Sequence, residues 1–405
     1  MLVSRKKGTK MATDNFFEKK QPWSEVKDKI ISGYLTPYCA KLLATRKPLK
    51  IIDCFAGKGK FDDAKDGSPL MIAKIIKNIL HQQESYENKN VEACFIEQKY
   101  HDDLENNLLY YPNCKVISGS FENKILQILE KHKEEKTNLF LYIDPYGIKS
   151  LSFEVFKSLK SMKNVSTEIL MNFNSFGFLR EGFRLLKLTL PDELNQVTFE
   201  EDEKNSIEKM NKIANGDYWQ EIIKEKNAHK INMHEAEEKF MAIYILKLKE
   251  IYKYVINIPI KEKSSHLPKY RLVYGTNHHD GIKLMIDEMN RAWGIIIENS
   301  KENIFDLFEE PSYYTSLHYN LEEEILRFTE KEIHIKELLL KLIDIFGITY
   351  RYSEYTDELD RLSKVPVGLF DNFEQRISIE RKYKTKTGKE ALDWNWDNEI
   401  YIKRV

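Results

Sequence analysis

The sequence has few of the residues that mark several large classes of protein. Its 405 residues include only 4 cysteines, none in a CxxC pair or at zinc-ligand spacing with histidine, so neither a disulfide framework nor a zinc site is indicated. With 11 prolines and 16 glycines the chain does not have the composition of a disordered protein. No apolar run approaches the roughly 20 residues that span a bilayer. The basic segment Met1–Lys10 lacks the apolar stretch of a secretory signal. We therefore expect a cytoplasmic protein with reduced core thiols and no membrane contact.

Net charge is nearly absent as well. Lysine and arginine total 63 against 64 acidic residues, which leaves a formal charge of -1. Binding of nucleic acid must then rest on local basic patches rather than on an overall positive field. Solvated charged faces are the alternative reading of any such patch. The candidates are Lys263 and Lys269 near a predicted hairpin, and Arg381, Lys382, Lys384 and Lys386 near a predicted wing.

Short apolar runs alternate with helical patterns in the first half of the chain. Strands that are apolar on both faces and alternate with helices predict a parallel sheet with helices on each side, an α/β fold. Right-handed crossovers bring the carboxyl ends of such strands to one edge, where doubly wound folds bind ligands. An amphipathic helix is predicted over 23–43, and strands at 49–54, 91–96, 114–117, 139–143 and 168–173.

The second half of the chain departs from this alternation. A charged and mainly helical stretch predicts an insertion over 178–250. Strand-like runs return at 252–260 and 269–275 and are followed by a helix from Asp280. Beyond an acidic stretch, three short helices and a hairpin predict a winged helix-turn-helix domain over 315–405, separate from a first domain over 1–300.

Residues suited to ligand binding follow the first, second and fourth predicted strands. The segment 53–59 (DCFAGKG) places an acid at a strand end and two glycines behind it, which lets the backbone approach a ligand closely. Glu97 ends the second strand, where an acid can hold both ribose hydroxyls of a nucleoside cofactor. The segment 144–146 (DPY) offers an acid and a rigid carbonyl to an amine, and an aromatic ring to a base. Asn172–Asn174 opens onto the same edge. Tight turns with solvated acids, and an Asn-capped helix start, are the alternatives.

These segments resemble the class I S-adenosylmethionine methyltransferases, and more closely the three-Cys-motif partner (TcmP) proteins of bacteria and phages. The resemblance covers roughly 23–293. It implies a Rossmann-like fold with a mixed seven-stranded sheet and helices on both faces, a C-terminal winged helix, S-adenosylmethionine as cofactor and a radical-SAM three-Cys-motif protein as partner. The segments that carry it are 51–59 (IIDCFAGKG), 67–70 (GSPL), 95–97 (FIE), 143–147 (IDPYG), 270–278 (YRLVYGTNH) and 281–289.

The resemblance also implies roles for individual residues. Glu97 would hold the ribose of the cofactor. Ser120 and Phe121 fall where adenine is contacted, although the usual acid is absent there. Asp53, Phe55, Gly57 and Gly59 would form the methionine side of the cofactor site.

The catalytic residues implied are Asp144, Pro145 and Tyr146. They would aim the lone pair of an amine at the sulfonium methyl, so catalysis would consist mainly of positioning and no separate nucleophile is required. The base-amine methyltransferases usually have two prolines and an aromatic residue after the acid, whereas one proline is missing here.

The sequence thus predicts an S-adenosylmethionine-dependent methyltransferase acting on nucleic acid, DNA or RNA, at a base amine, in a phage, mobile-element or defence context. The incomplete motif at Asp144 leaves open a non-catalytic Rossmann-like protein that docks DNA or a partner enzyme. A nicotinamide oxidoreductase ranks last, because the glycine loop lacks its third glycine. No metal site is predicted at His278, His279 and Asp280, because adjacent residues on a strand point apart.

Overall fold

The computed structural model describes residues 17, 20, 22–45, 47–82, 91–145, 147–148, 151–195, 206–261, 268, 270–300, 319–365, 374–382 and 394–405. These residues fall into two compact units. The first contains the described residues of Met1–Val255, Pro259–Glu262 and Leu267–Asn277, and the second those of Ile256–Ile258, Lys263–His266 and His278–Val405. The predicted division between 300 and 315 stays a prediction, because 301–318 lie outside the described residues.

One sheet has seven strands in the order β3-β2-β1-β4-β5-β7-β6. The first five strands are parallel and β7 is antiparallel to β5, so the sheet is mixed. The predicted α/β fold of Rossmann-like type is confirmed to this extent. The strands are β1 (Leu49–Asp53), β2 (Val91–Glu97), β3 (Cys114–Ser118), β4 (Asn138–Ile143), β5 (Ser166–Phe173), β6 (Tyr254–Ile260) and β7 (Tyr270–Thr276).

The central strands are buried on both faces. Every residue of β4 (NLFLYI) is buried, and β1 is flanked by β2 on one side and β4 on the other. Such strands need apolar side chains along their whole length, which is why they stand out in the sequence. The strand order reverses between β1 and β4. In open α/β sheets, ligands bind at the carboxyl ends of the strands beside such a reversal.

Helices connect the strands and fill the predicted insertion. The connecting helices are α1 (Pro22–Ala44), α2 (Ser68–Gln82), α3 (His101–Leu108), α4 (Phe121–Lys131) and α5 (Glu154–Lys160). The described residues of the predicted insertion lie mainly in α6 (Ser175–Leu185), α7 (Asp192–Asn195), α8 (Ile207–Ala214), α9 (Tyr218–Asn227) and α10 (Met233–Lys249).

The insertion packs on the same apolar core as the sheet. Phe173 at the end of β5 lies against Tyr244 of α10, with ring centroids 4.6 Å apart. Phe178 of α6 stacks on Phe240 at the same distance. A Cβ at Gly182 of α6 would lie 2.3 Å from the side chain of Ile223, so glycine is what lets α6 and α9 approach this closely.

A buried hydrogen-bond network anchors α1 to the sheet. The carboxylate of Glu168 on β5 accepts hydrogen bonds from the hydroxyls of Tyr34, Tyr274 (2.8 Å) and Thr276 (3.1 Å). Burying this acid is tolerable because hydroxyl donors take the place of water. Lys27 precedes Tyr34 by two helical turns and therefore lies on the same face of α1. That placement brings Lys27 to the carboxyl edge of the sheet.

The second unit contains helices and a three-stranded antiparallel sheet of order β8-β10-β9. In its helix Ile335–Phe346 the buried residues are Ile335, Leu338, Leu339, Leu342, Ile343 and Phe346, and the side chain of Asn320 caps the helix Leu321–Phe328. None of the helices among the described residues is both long and apolar enough to span a bilayer. The elements are α11 (His279–Ser300), α12 (Leu321–Phe328), β8 (Ile333–His334), α13 (Ile335–Phe346), α14 (Tyr352–Ser363), β9 (Ile377–Arg381) and β10 (Ile400–Arg404).

Candidate functional site

Asp53 at the end of β1 organises the loop that follows. Its fully buried carboxyl group accepts a hydrogen bond from the amide of Phe55 (3.2 Å) and one from the hydroxyl of Ser68 (2.7 Å). Burial, with a smaller contribution from the negative charges of Asp144 and Glu97, raises the pKa of Asp53 to about 7 against the effect of these two hydrogen bonds. Asp53 therefore supports the loop from below, and three acids lie near one another at this edge.

The two glycines of the loop adopt a backbone conformation that other residues rarely take. Gly57 has φ +65° and Gly59 has φ +80°. A Cβ at Gly59 would lie 2.8 Å from Leu104 of α3, and one at Gly57 would lie 3.1 Å from the ring of Phe17. The carbonyl of Gly59 accepts a hydrogen bond from the amide of Gly67, which closes the loop against α2 (2.8 Å).

Glu97 ties the β1 loop to the turn after β2. One carboxylate oxygen accepts a hydrogen bond from the amide of Gly57 (2.7 Å), and the other accepts from the amides of Lys99 (2.8 Å) and Tyr100 (3.1 Å). A carboxylate offers about four acceptor positions, of which three are used here. Glu97 therefore fixes the loop and keeps room for about one further donor, such as a ligand hydroxyl.

Asp144 follows β4 and is surrounded by donors. One carboxylate oxygen accepts from the ammonium group of Lys27 (2.5 Å) and the hydroxyl of Tyr142 (3.0 Å), and the other from the side-chain amide of Asn172 (2.6 Å). Burial opposes ionisation, but the charge of Lys27 and the hydrogen bonds from Lys27, Asn172 and Tyr142 together lower the pKa of Asp144 below its usual value. The side chain of Asp144 keeps 25% exposure, so an ionised carboxylate remains accessible at the edge.

The remaining predicted cofactor residues, Phe55, Ser120 and Phe121, follow β1 and β3. The rings of Phe55 and Phe121 pack together with centroids 4.9 Å apart, and Phe121 is buried. Half-buried Ser120 precedes α4, and its side chain makes no capping hydrogen bond. The amide of Gly119 donates to the carbonyl of Glu97 (3.0 Å), which joins the carboxyl ends of β3 and β2. The structure thus brings the predicted cofactor residues to one edge of the sheet.

Five predicted site residues lie outside the described residues: Tyr146, Lys263, Lys269, Lys384 and Lys386. Two basic candidates of the second unit are described. The guanidinium group of Arg381 lies 4.9 Å from the ring centroid of Trp394. The ammonium group of Lys382 lies 3.8 Å from the carboxylates of Glu332 and Glu380 and 4.1 Å from the centroid of the Tyr401 ring.

The histidine pair has a geometry different from the expected one. The rings of His278 and His279 stack with centroids 4.5 Å apart, because His279 begins α11 instead of lying on a strand. The expectation that they point apart is therefore wrong. With Asp280 they place three ligand atoms within 4.8 Å of one another. The ammonium group of Lys336, however, lies 2.6 Å from Nε2 of His279, where a metal bound to that nitrogen would be.

Three residues of the site carried weak sequence signals or none. Asn172 was suggested only by its place near the end of a predicted strand. Tyr142 reads as a core residue of β4, and its hydroxyl group reaches Asp144. Lys27 is one of several lysines in α1, and nothing local distinguishes it. Its contact with Asp144 depends on the packing of α1 against the sheet.

Comparison with known proteins gives no family. No protein-family model matches the chain, and no curated protein sequence does. One similar solved structure is a loganic acid methyltransferase with SAH, at 10% identity and a TM-score of 0.22, over 70% of this chain and 85% of that chain. A likeness this weak is no basis for assigning a fold or an activity.

Proposed function

We propose that this chain is an S-adenosylmethionine-dependent methyltransferase whose site lies at the carboxyl edge of β1, β2 and β4. The observation that carries the proposal is the convergence of Asp53, Glu97 and Asp144 at the reversal of the strand order. Acidic side chains that converge at this edge favour a ligand that bears positive charge, and this cofactor bears a sulfonium and an ammonium group. The mixed seven-stranded sheet is consistent with the fold that the methyltransferase resemblance implies.

The residues at this edge fit the cofactor. The positive φ angles of Gly57 and Gly59 let the loop turn tightly at this edge, with Phe17 and Leu104 packed where their Cβ atoms would lie. Glu97 has about one acceptor position left, which suits one ribose hydroxyl. Half-buried Phe55, whose ring packs on the buried Phe121, offers an apolar surface that suits an adenine ring.

Asp144 and Pro145 are suited to hold an amine substrate. The cofactor supplies, when bound, a sulfonium methyl, which the amine nitrogen attacks while the carbon–sulfur bond breaks and its electron pair stays on sulfur. Asp144 accepts a hydrogen bond from the amine, and the Pro145 carbonyl is a second acceptor, so the nitrogen lone pair is aimed. The proton that the methylated nitrogen loses passes to solvent at this partly exposed edge. The role of Tyr146 as a stacking ring stays a prediction.

Nucleic acid is the substrate class that we propose for this amine, and the three-Cys-motif radical-SAM partner stays a prediction. The order of helices and strands in 321–404 is that of a winged helix-turn-helix, which supports the proposal. The third helix, α14, carries Glu354, Asp357, Glu358 and Asp360 against the single base Arg361. The negative charge of this helix repels the phosphates of a nucleic acid. We therefore assign docking of nucleic acid to the hairpin, which carries Arg381 and Lys382.

A non-catalytic Rossmann-like binding protein is the second candidate. One observation favours it: the Lys27 ammonium already occupies one oxygen of Asp144, so an amine that needed that oxygen would have to displace a buried cation. This candidate predicts a stable complex with a partner enzyme and no methyl transfer to nucleic acid.

A calorimetric titration with S-adenosylhomocysteine tests the proposal. We expect binding to the wild-type chain and at least tenfold weaker binding to Gly59→Ala, because a Cβ there meets Leu104 and the φ angle is positive. Gly294→Ala is the matched control, since a Cβ there meets no described atom within 4 Å. Equal affinities for the two variants would contradict the assignment of the glycine loop to the cofactor.

A further inference from the structure

The side-chain oxygen of Asn172 is a buried acceptor that receives no hydrogen bond from the described residues. Asn172 is the second-last residue of β5 and lies at the carboxyl edge of the sheet, 8% exposed. Its amide nitrogen donates to Asp144 (2.6 Å). Its Oδ1 is buried, and among the described residues no donor reaches it. A buried carbonyl without a donor costs roughly 1–3 kcal/mol, so this oxygen calls for a partner.

The orientation of this amide is fixed by its neighbour. Asp144 is ionised, because Lys27 and Tyr142 both donate to its carboxylate. Turning the Asn172 amide over would place its oxygen against a carboxylate oxygen, which is repulsive. The nitrogen must therefore face Asp144, and Oδ1 must be the atom left without a donor.

Two acceptors consequently lie side by side at this edge. One is Oδ1 of Asn172. The other is the Asp144 oxygen that Asn172 contacts, which accepts one hydrogen bond in this part of the structure and has a second lone pair. A group with two hydrogens on one nitrogen satisfies both acceptors, whereas a hydroxyl group, with one hydrogen, satisfies only one.

We propose that Asn172 and Asp144 together form a two-acceptor site for an amino group at the point of methyl transfer. This inference rests on the proposed function and refines it, because it assigns the second acceptor of the amine to Oδ1 of Asn172 instead of the Pro145 carbonyl.

Asn164 provides a natural comparison within the same region. It lies just before β5, at the opposite edge of the sheet, and its Oδ1 is also buried without a described donor. Its amide nitrogen contacts Met162 and Thr167 instead of a carboxylate. Asn164 therefore matches Asn172 in residue type and burial of Oδ1, but not in its place beside Asp144.

Sinefungin is the probe for the amino-group site. This cofactor analogue carries an amine where S-adenosylmethionine carries its methyl, whereas S-adenosylhomocysteine has neither. The affinity ratio of the two ligands, measured by calorimetry, isolates the contribution of the amine. We expect sinefungin to bind the wild type about tenfold more tightly than S-adenosylhomocysteine. In Asn172→Leu the ratio falls about five- to tenfold, the contribution of one ordinary hydrogen bond, while Asn164→Leu keeps the wild-type ratio.

The outcomes separate this inference from the proposed function. Unchanged S-adenosylhomocysteine affinity in Asn172→Leu shows that the variant is folded, and an unchanged ratio there would overturn the inference. A wild-type ratio near one would overturn it as well, since water would then satisfy Oδ1. If the leucine variant binds neither ligand, the ratio in Asn172→Ala decides in the same way. If the wild type binds neither ligand, the proposed function fails and this inference fails with it.

Discussion

Replacing Asp53 with asparagine removes a carboxyl group whose ionisation opposes folding. The pKa of Asp53 is about 7 in the folded chain, mainly because of burial, against about 3.9 in an unfolded chain. Between these values the folded chain holds a proton that the unfolded chain releases, so the free energy of unfolding falls as pH rises. Above pH 7 the loss levels off at about 4 kcal/mol, and it amounts to about 3 kcal/mol between pH 5 and pH 8.

In the Asp53→Asn variant the free energy of unfolding does not fall with pH for this reason. Its amide can replace the protonated carboxyl, because the Ser68 hydroxyl is able to accept as well as donate and the Phe55 amide keeps its acceptor. We therefore expect the difference in unfolding free energy, variant minus wild type, to increase by about 3 kcal/mol from pH 5 to pH 8.

Urea denaturation at pH 5, 6, 7 and 8 measures this difference. Following the unfolding of the first unit requires a local probe, and Trp219, fully buried in α9, provides one by fluorescence when the other tryptophans are replaced by phenylalanine. Asp62→Asn, in the same loop but exposed, controls for the removal of an acidic residue. A difference between Asp53→Asn and wild type that stays flat across this pH range would refute the account of Asp53.

Two further substitutions test the ion pairs of the first unit. Lys27→Met leaves Asp144 without its cation and should lower the free energy of unfolding by about 1–3 kcal/mol, less than for a fully buried pair because Asp144 is partly exposed. The control Lys29→Met, at an exposed position, should lower it by less than about 0.5 kcal/mol. Equal losses in the two variants would argue against the ion pair. Glu237→Gln removes the carboxylate that pairs with Arg271 in the core, where both side chains are almost inaccessible. It should lower the free energy of unfolding by about 3–5 kcal/mol. A loss below about 1 kcal/mol in urea denaturation would contradict that contact.

The strands were predictable because a central parallel strand must be apolar on both faces. β4 follows that rule from Leu139 to Ile143, and β1 departs from it at Lys50 before it ends in Asp53. Acids mark the points where β1 and β2 end. The glycine loop was predictable for a similar reason, since Gly57 and Gly59 adopt positive φ angles. Free cysteines were also expected, and Cys39, Cys54 and Cys94 are buried.

The contacts around Asp144 were not predictable from spacing. Lys27 precedes Asp144 by 117 residues, and Asn172 follows it by 28. Both contacts arise from the packing of α1 and β5 beside β4, and no local pattern encodes them. The geometry of the histidine pair was mispredicted for a local reason. Adjacent side chains point apart on a strand, whereas α11 begins at His279.

Binding of S-adenosylhomocysteine to the wild-type chain tests the central claim most directly. The account predicts that a calorimetric titration at neutral pH reports one site per chain. The absence of binding by a protein whose circular dichroism confirms the folded α/β content would contradict the claim that the edge formed by Asp53, Glu97 and Asp144 is a cofactor site.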